Sequence, residues 1–248
     1  MSESDPAYDK FPSHVEKPQF DAMVDSLMPK KPAPKPRPDF VQADFEPTIK
    51  KTKRLTREKW LNLYQTTFDK NGSEGNWIFA SRGRAGRKYL PTGKPNAVVI
   101  VPVVIVEGTR QLVLIKEYRV AVQGWEWHFP AGLIDGNESV IEAAERELQE
   151  EAGLQLTLVR RISPLLYSSA GMTDETSVMA FVDCIPHGEQ HLEKHEEIIP
   201  VWADIMQINA VLNSGSPIAA KTWPVLLMYK EMGHFVLPAE GERNDFLA

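Results

Sequence analysis

Short hydrophobic runs separated by glycines and polar residues recur through most of the chain, and this pattern predicts strands. Gly108, Gly124 and Gly132 interrupt the runs, which favours hairpins and an antiparallel or mixed sheet. The longest run, residues 97–106, contains Pro102 and has about half of the ~20 residues that a membrane-spanning helix needs, so it predicts a buried strand. The predicted strands are residues 76–81, 97–106, 112–117, 125–129, 156–163, 177–182 and 198–202.

Residues 139–152 have the hydrophobic spacing of an amphipathic helix. The helix is expected to begin at Asn137 or Ser139, with Glu142 completing a capping box, and to end at Gly153. Its apolar face is predicted to consist of Val140, Ile141, Ala144, Leu148 and Ala152.

Two further helices are predicted near the C-terminal end, over residues 204–213 and 218–232. Residues 55–68 carry an apolar pattern that fits a helix or a long strand, and the sequence leaves their state open. The order of strands, helix, strands and helices predicts an α/β or α+β sandwich of sheet and helices.

The first fifty residues have an unusual composition, because nine of the 19 prolines lie there and basic residues alternate with them over residues 30–38. Such a segment forms neither a sheet ladder nor a long helix. We expect residues 1–54 to be a disordered arm, and the alternative is a polyproline ligand for an unknown partner. The folded domain is expected to span residues 55–240, followed by a tail over residues 241–248.

Composition and charge narrow the possible functions. A formal net charge of -6 argues against bulk nucleic acid as a partner, because the chain repels a polyphosphate backbone. Cys184 is the single cysteine, which excludes an intrachain disulfide and suits a reducing compartment. The first residues carry acidic groups and no apolar signal region, so a cytoplasmic location without a membrane is expected.

Three glutamates of the predicted helix 139–152 are candidates for metal binding. Glu147 and Glu151 are four residues apart and project beside the apolar face, with Glu150 next to them. Carboxylates in such a cluster repel each other unless a cation is present, and their hard oxygens suit Mg²⁺ or Mn²⁺. The alternative is an ordinary charged helix face.

The glutamates belong to a longer pattern, G-x5-E-x7-R-E-U-x-E-E-x-G-U, in which U is aliphatic, and every specified position is matched. The matching residues are Gly132, Glu138, Arg146, Glu147, Leu148, Glu150, Glu151, Gly153 and Leu154. This is a complete Nudix box, and the sequence resembles the Nudix hydrolases.

The resemblance implies an α/β/α sandwich with a mixed sheet and a catalytic unit of loop, helix and loop. It also implies that Glu147 and Glu151 ligate the metal ion, that Glu150 contributes, and that the carbonyl oxygen of Ala131 joins them. Arg146 is expected to hold Glu150 across one turn of the helix.

The stretch before the box resembles the ADP-ribose pyrophosphatases in Tyr118, Arg119, Pro130, Ala131 and Gly132. This likeness implies metal-dependent hydrolysis of a nucleoside diphosphate linked to another moiety, with ADP-ribose giving AMP and ribose 5-phosphate. Arg119 is the expected substrate arginine, because a guanidinium fork suits a pyrophosphate. The alternative for Arg119 is a surface charge at a strand end. Gly132 is expected at the substrate site, where it lets the backbone turn between strand and loop.

The general base is expected in the acidic segment of residues 193–197, by analogy with related enzymes. Glu197 is favoured, followed by Glu196, with Glu193 and His195 as further candidates. The alternative is a solvated acidic loop.

Trp77 is expected to stack on adenine, by analogy with dimeric relatives whose first strands cross to the neighbouring subunit; core packing is the alternative. A homodimer is implied by the resemblance only.

Ala170 stands where ADP-ribose pyrophosphatases usually carry a proline, so other nucleotide sugars such as GDP-mannose stay open as substrates. A silent ligand-binding Nudix module is the rival class, and the intact box argues against it. His128 is expected to be an ordinary strand residue.

Overall fold

The structure, a computed structural model, describes residues 47–83, 94–192, 194 and 196–233. The chain divides into two units, residues 1–48 and 49–248, and the elements below lie in the second unit apart from Thr48, the first residue of the first strand. The strands are β1 (Thr48–Arg54), β2 (Asn62–Lys70), β3 (Ser73–Ser81), β4 (Ala97–Val106), β5 (Thr109–Arg119), β6 (Gly124–His128), β7 (Ala131–Leu133), β8 (Leu154–Ile162), β9 (Leu166–Tyr167), β10 (Thr176–Pro186) and β11 (Ile198–Ala203). The helices are α1 (Val140–Ala152), α2 (Ile205–Asn213) and α3 (Thr222–Met232).

A separate three-stranded sheet has the order β1-β2-β3. Strands β2 and β3 form a hairpin around Asn71 and Gly72, whose φ angles of 53° and 80° both lie in the left-handed region that tight hairpin turns need. The segment of residues 55–68, whose state the sequence leaves open, is therefore a strand from Asn62 onward.

Strand β1 corrects the predicted domain boundary, because it lies inside the segment expected to be a disordered arm. Lys50 Nζ donates to Asp69 at 3.0 Å, and Thr52 Oγ1 lies 2.9 Å from Thr66 Oγ1 on β2. The strand is mostly exposed and has no apolar periodicity of its own, so its stability comes from pairing that the local pattern does not reveal. Residues 1–46 of the predicted arm and the predicted tail lie outside the described residues.

The main sheet has the order β11-β5-β4-β10-β8, with β6 on β5, β7 on β4 and β9 on β10. Strand β10 runs parallel to β4 and antiparallel to β8, so the sheet is mixed, as predicted. The bounds of β4 are those predicted, whereas β5 and β10 extend beyond their predicted bounds because ladder pairing with neighbouring strands continues at both ends.

Alternating residues of the main sheet pack on its two faces, with α1 on one side and α2 and α3 on the other. Val98, Ile100 and Val113 share a core with Leu148 of α1. The opposite face packs against the C-terminal helices through Val101, Leu112, Leu114, Phe129, Ile208 and Leu226. The predicted α/β/α sandwich is confirmed. In the described part of the chain, no helix is long and apolar enough to cross a membrane.

Helix α3 begins later than the predicted start at residue 218. Ile218 instead forms a parallel bridge with Trp127 of β6. Trp127 N donates to Pro217 O, and Ala219 N donates to Trp127 O, both at 2.9 Å. Because β6 satisfies these backbone groups, residues 217–219 are extended and the helix starts after them.

Candidate active site

Helix α1 is fixed at both ends by the caps that the sequence predicts. Ser139 Oγ accepts from Glu142 N, and the Glu142 carboxylate accepts from Ser139 N at 2.7 Å, which completes the capping box. Gly153 ends the helix at φ 60°. One prediction about the buried face is wrong: Ile141 is 42% exposed, and Ala143 is buried in its place.

Glu147 and Glu151 lie on the buried face of α1, as their spacing predicts. The exposed fraction is 9% for Glu147 and 4% for Glu151. Burial is the main cause that raises the pKa of both carboxyls, for Glu151 to about 9. Ala131 N donates to Glu151 Oε2 at 3.0 Å and opposes this shift. The negative charge of Glu196 raises the pKa of both residues further.

Arg146 holds the acidic residues of the box together. Its Nη1 donates to Glu147 at 2.7 Å and to Glu150 at 3.1 Å, so the predicted bond across one helical turn is present. Nε donates to Glu138 at 3.0 Å, and Nη2 donates to the carbonyl oxygen of Leu133 at 2.9 Å. Arg146 therefore ties the helix to the loop before it.

Gly132 contributes by close approach, which corrects the reason expected from the sequence. It is not among the glycines with a positive φ. A Cβ at this position would lie 1.6 Å from Glu147 Oε1 and 2.0 Å from Glu147 Cδ. Gly132 is needed because the buried Glu147 carboxylate occupies the space of a side chain, and not because the backbone turns there.

Arg119 lies on the α1 side of the sheet, because Val113 on the same strand packs against α1 and residues two apart share a face. Nη1 donates to Glu117 at 2.7 Å, and Nε donates to Glu126 on β6 at 3.0 Å. Its side chain is 41% exposed, so a ligand can reach it.

The sequence pattern does not single out Glu117 as a candidate site residue. Its negative charge is a cause of the raised pKa of Glu151, so it lies near the glutamates of the box. The strand pattern indicates only which face of β5 it occupies, and the proximity to α1 arises from the packing of helix on sheet.

The acidic segment reaches the site from the other side, through the connection between β10 and β11. Gln190 Nε2 donates to the carbonyl oxygen of Glu151 at 2.8 Å and to that of Ile198 at 3.2 Å. Ile198 pairs with Glu117, so the acidic segment that ends just before β11 lies next to the strand that carries Glu117. The charge of Glu196 is one of the causes that raise the pKa of both buried glutamates.

The other candidates of the acidic segment have different positions. Glu197 offers its backbone carbonyl to Tyr118 N at 3.4 Å, and its side chain is exposed. Glu193 and His195 lie outside the described residues.

Trp77 lies on β3, in the smaller sheet, and is 52% exposed, so core packing does not explain it. Its Nε1 donates to the carbonyl oxygen of Gly171 at 3.2 Å, in the turn that contains Ala170. Ala80 N also donates to Met172 O at 2.8 Å, which fastens β3 to this turn.

The residues of the box fit a hard divalent cation. Glu147, Glu150 and Glu151 supply carboxylate oxygens, and a bound cation would offset the burial and mutual repulsion that raise the pKa of Glu147 and Glu151. Among the described residues, no group of His, Cys, Asp or Glu side chains is already arranged around an ion position. Glu147 and Glu150 are paired with Arg146 instead.

A known protein family matches the part of the chain that carries the box. The protein-family description "NUDIX domain" matches residues 96–224, about half of the chain. The chain is 43% identical over 91 residues to the ADP compounds hydrolase NudE of Escherichia coli, covering 35% of this chain and 46% of that protein. It is 29% identical over 128 residues to the ADP-ribose pyrophosphatase of Saccharomyces cerevisiae, covering 50% of this chain and 53% of that protein.

The chain thus spans about half the length of these curated relatives. A solved structure, "Crystal structure of ADP compounds hydrolase", has the same fold, with a TM-score of 0.59 and 23% identity, covering 75% of this chain and 94% of that chain. Because the family match includes the complete box and the helix that carries it, the chain belongs to the NUDIX domain family.

Proposed function

We propose that the protein hydrolyses the pyrophosphate bond of ADP-ribose, producing AMP and ribose 5-phosphate. The observation that carries the proposal is the exposed Arg119 guanidinium beside a buried cluster of carboxylates. A guanidinium can bind two phosphate oxygens at once. The carboxylate cluster suits a divalent cation such as Mg²⁺, which binds together with the phosphates of a substrate. The matched relatives that are described as an ADP compounds hydrolase and an ADP-ribose pyrophosphatase support the same substrate class.

Glu147, Glu150, Glu151 and the carbonyl oxygen of Ala131 would hold Mg²⁺, for which Mn²⁺ can substitute. The bound ion would neutralise phosphate charge and make the attacking water more acidic. Arg146 keeps Glu147 and Glu150 in place from the same helix. Arg119 binds the nonbridging oxygens and stabilises the charge that develops on them.

Glu196 is the proposed general base, ahead of Glu197. Its carboxylate accepts the proton of the water that attacks phosphorus, while the bond between that phosphorus and the bridging oxygen breaks and the second phosphate leaves. The support is electrostatic, since the charge of Glu196 is one of the causes that raise the pKa of both buried glutamates.

The two neighbouring glutamates provide their own matched control. Glu196→Gln should lower kcat by at least about 100-fold, as expected for removal of a general base, and Glu197→Gln should leave kcat within a few fold. Thermal melts would verify that both variants fold. The reverse order of effects would assign the base to Glu197, and two active variants would remove the base from this segment.

A homodimer with Trp77 against the adenine is a further part of the proposal. Trp77 and Ile78 of the smaller sheet are 52% and 57% exposed, and Trp60 in the connection before β2 is 69% exposed. A second subunit is proposed to cover these side chains. Light scattering measures the oligomeric state directly. A monomer with full activity would contradict this arrangement.

A cytoplasmic location is proposed because Cys184 is a free, buried thiol, which suits a reducing compartment. Fractionation of cells would test it, and recovery of the protein in a secreted fraction would contradict it.

The central experiment is a substrate panel with Mg²⁺ in which the released mononucleotide is measured. ADP-ribose should have the highest kcat/KM among ADP-ribose, GDP-mannose, other nucleotide sugars and dinucleoside polyphosphates. Preference for another nucleotide sugar would change the substrate and keep the reaction. No turnover of any compound, together with tight binding of one of them, would identify a silent ligand-binding module.

A further inference from the structure

Three charged or ionisable side chains surround the proposed substrate arginine on the β5-β6 hairpin. In the register of this hairpin, Glu117 pairs with Glu126, Arg119 with Gly124 and Ile115 with His128. Two carboxylates directly opposite each other in a sheet are destabilising unless cations lie between them. Arg119 supplies one such cation, and its contacts with Glu117 and Glu126 hold the guanidinium at two points.

His128 lies on the same face and is fixed at both ring nitrogens. Nδ1 lies 2.8 Å from the carbonyl oxygen of Phe129, which can only accept, so Nδ1 carries a hydrogen. Nε2 lies 2.7 Å from Glu117 Oε2. A proton must lie between these two atoms, because two facing lone pairs would repel each other at that distance.

Glu117 is therefore held by both of its oxygens. Oε2 is bonded to His128, whose side chain is only 5% exposed, and Oε1 accepts from Arg119 Nη1. A carboxylate with one oxygen anchored to a buried ring can turn little, and this restricts the arginine that it binds.

Arg119 keeps binding capacity in this arrangement. A guanidinium has five N–H groups, of which Nε–H and one Nη1–H are used by Glu126 and Glu117. Nη2 lies 3.4 Å from His128 Nε2. Within the described part of the chain, the guanidinium thus retains N–H groups for a phosphate, while Glu117 and Glu126 fix the orientation of its plane.

We propose that His128 is a positioning residue for Arg119, acting through Glu117. The inference rests on the proposed function, because it takes Arg119 as the group that binds substrate phosphate. If the plane of the guanidinium is fixed before the pyrophosphate binds, binding loses less side-chain conformational entropy. His128 itself touches neither substrate nor the box glutamates in this role.

Two amide substitutions separate the contacts of His128. The amide nitrogen of asparagine corresponds roughly to Nδ1, so His128→Asn can retain the bond to Phe129 and loses the bond to Glu117. The amide nitrogen of glutamine corresponds roughly to Nε2, so His128→Gln can retain the bond to Glu117. We expect kcat/KM to fall about fivefold or more in His128→Asn and to stay within about twofold of the wild type in His128→Gln. His187, which is exposed, supplies the matched control His187→Asn, with no expected change.

A double-mutant cycle with Arg119→Lys decides whether His128 acts through the arginine. His128→Asn should have less than about a twofold further effect on kcat/KM in the Arg119→Lys background, because the fork it positions is already absent. Equal losses in both backgrounds would overturn the proposal, as would equal losses in His128→Asn and His128→Gln.

Binding of α,β-methylene-ADP, measured by calorimetry on the same variants, keeps this test separate from the proposed function. A wild type that binds this compound but hydrolyses none of the panel would refute the proposed reaction and leave the positioning role testable. In that case Kd should rise about fivefold or more in His128→Asn and not in His128→Gln. An unchanged Kd in His128→Asn would overturn the positioning role.

Discussion

Replacing Glu151 by glutamine tests two effects of this side chain separately: its effect on the free energy of unfolding and its effect on kcat. The side chain is 4% exposed and accepts a hydrogen bond from Ala131 N, which the carbonyl oxygen of glutamine can also accept. The substitution removes a carboxyl group whose ionisation is opposed by the charges of Glu147, Glu117 and Glu196.

The magnitude follows from the raised pKa of Glu151. Its pKa rises from 4.5 to about 9 on folding, so its contribution to stability is complete below pH 4.5 and is lost as the pH rises toward about 9. At pH 7 the loss is about 3 kcal/mol, from ~1.4 kcal/mol for each pH unit above 4.5. Glutamine has no proton to lose, so the metal-free variant should gain up to about 3 kcal/mol at pH 7, or ~6–12 °C in Tm.

Thermal melts of the metal-free protein at about pH 5 and pH 7 measure this effect. The gain should be large at pH 7 and small at pH 5, because little of the penalty is present near the ordinary pKa of a glutamate. Glu145→Gln, an exposed glutamate on the same helix, is the control and should change Tm little at either pH. Added Mg²⁺ should raise the Tm of the wild type more than that of Glu151→Gln.

Activity should move in the opposite direction, with kcat at least about 100-fold lower in the stabilised Glu151→Gln protein. A folded variant with normal kcat would end the assignment of Glu151 as a metal ligand. A variant with no gain in Tm at pH 7 would refute the argument that burial and repulsion destabilise the site.

Three further perturbations test other parts of the structure. Gly132→Ala should lower kcat about tenfold or more with only a small loss of Tm, because the new methyl group displaces the end of the Glu147 side chain and not backbone; normal kcat would contradict this close approach. Arg119→Lys keeps the charge and loses the fork, so kcat/KM should fall about tenfold or more for ADP-ribose and GDP-mannose alike. A loss confined to one of these substrates would mean that Arg119 contacts the base or the sugar. Deleting residues 1–47, which spares β1, should leave steady-state rates within a few fold, because that segment has too little apolar periodicity to join the core. Loss of most activity on deletion would show that the segment contributes to the site.

The sequence by itself determined the parts of the protein that depend on local periodicity. The helical repeat puts Glu147 and Glu151 on the buried face of α1, and the side chains that cap this helix lie within a few residues of its ends. The spacing of the Nudix box likewise indicates the family, since the whole pattern lies within one short stretch of chain.

Only the tertiary structure decided which residues from distant strands meet that helix. Glu117 and Glu196 lie far from Glu151 in sequence and act on it because β5, β11 and α1 pack together. Glycine is needed at position 132 because the side chain of Glu147, fifteen positions later, occupies the adjacent space. Residues 48–54 form strand β1 because they pair with β2. Contacts of this kind depend on the register and packing of separate elements, which no local pattern of hydrophobic and polar residues encodes.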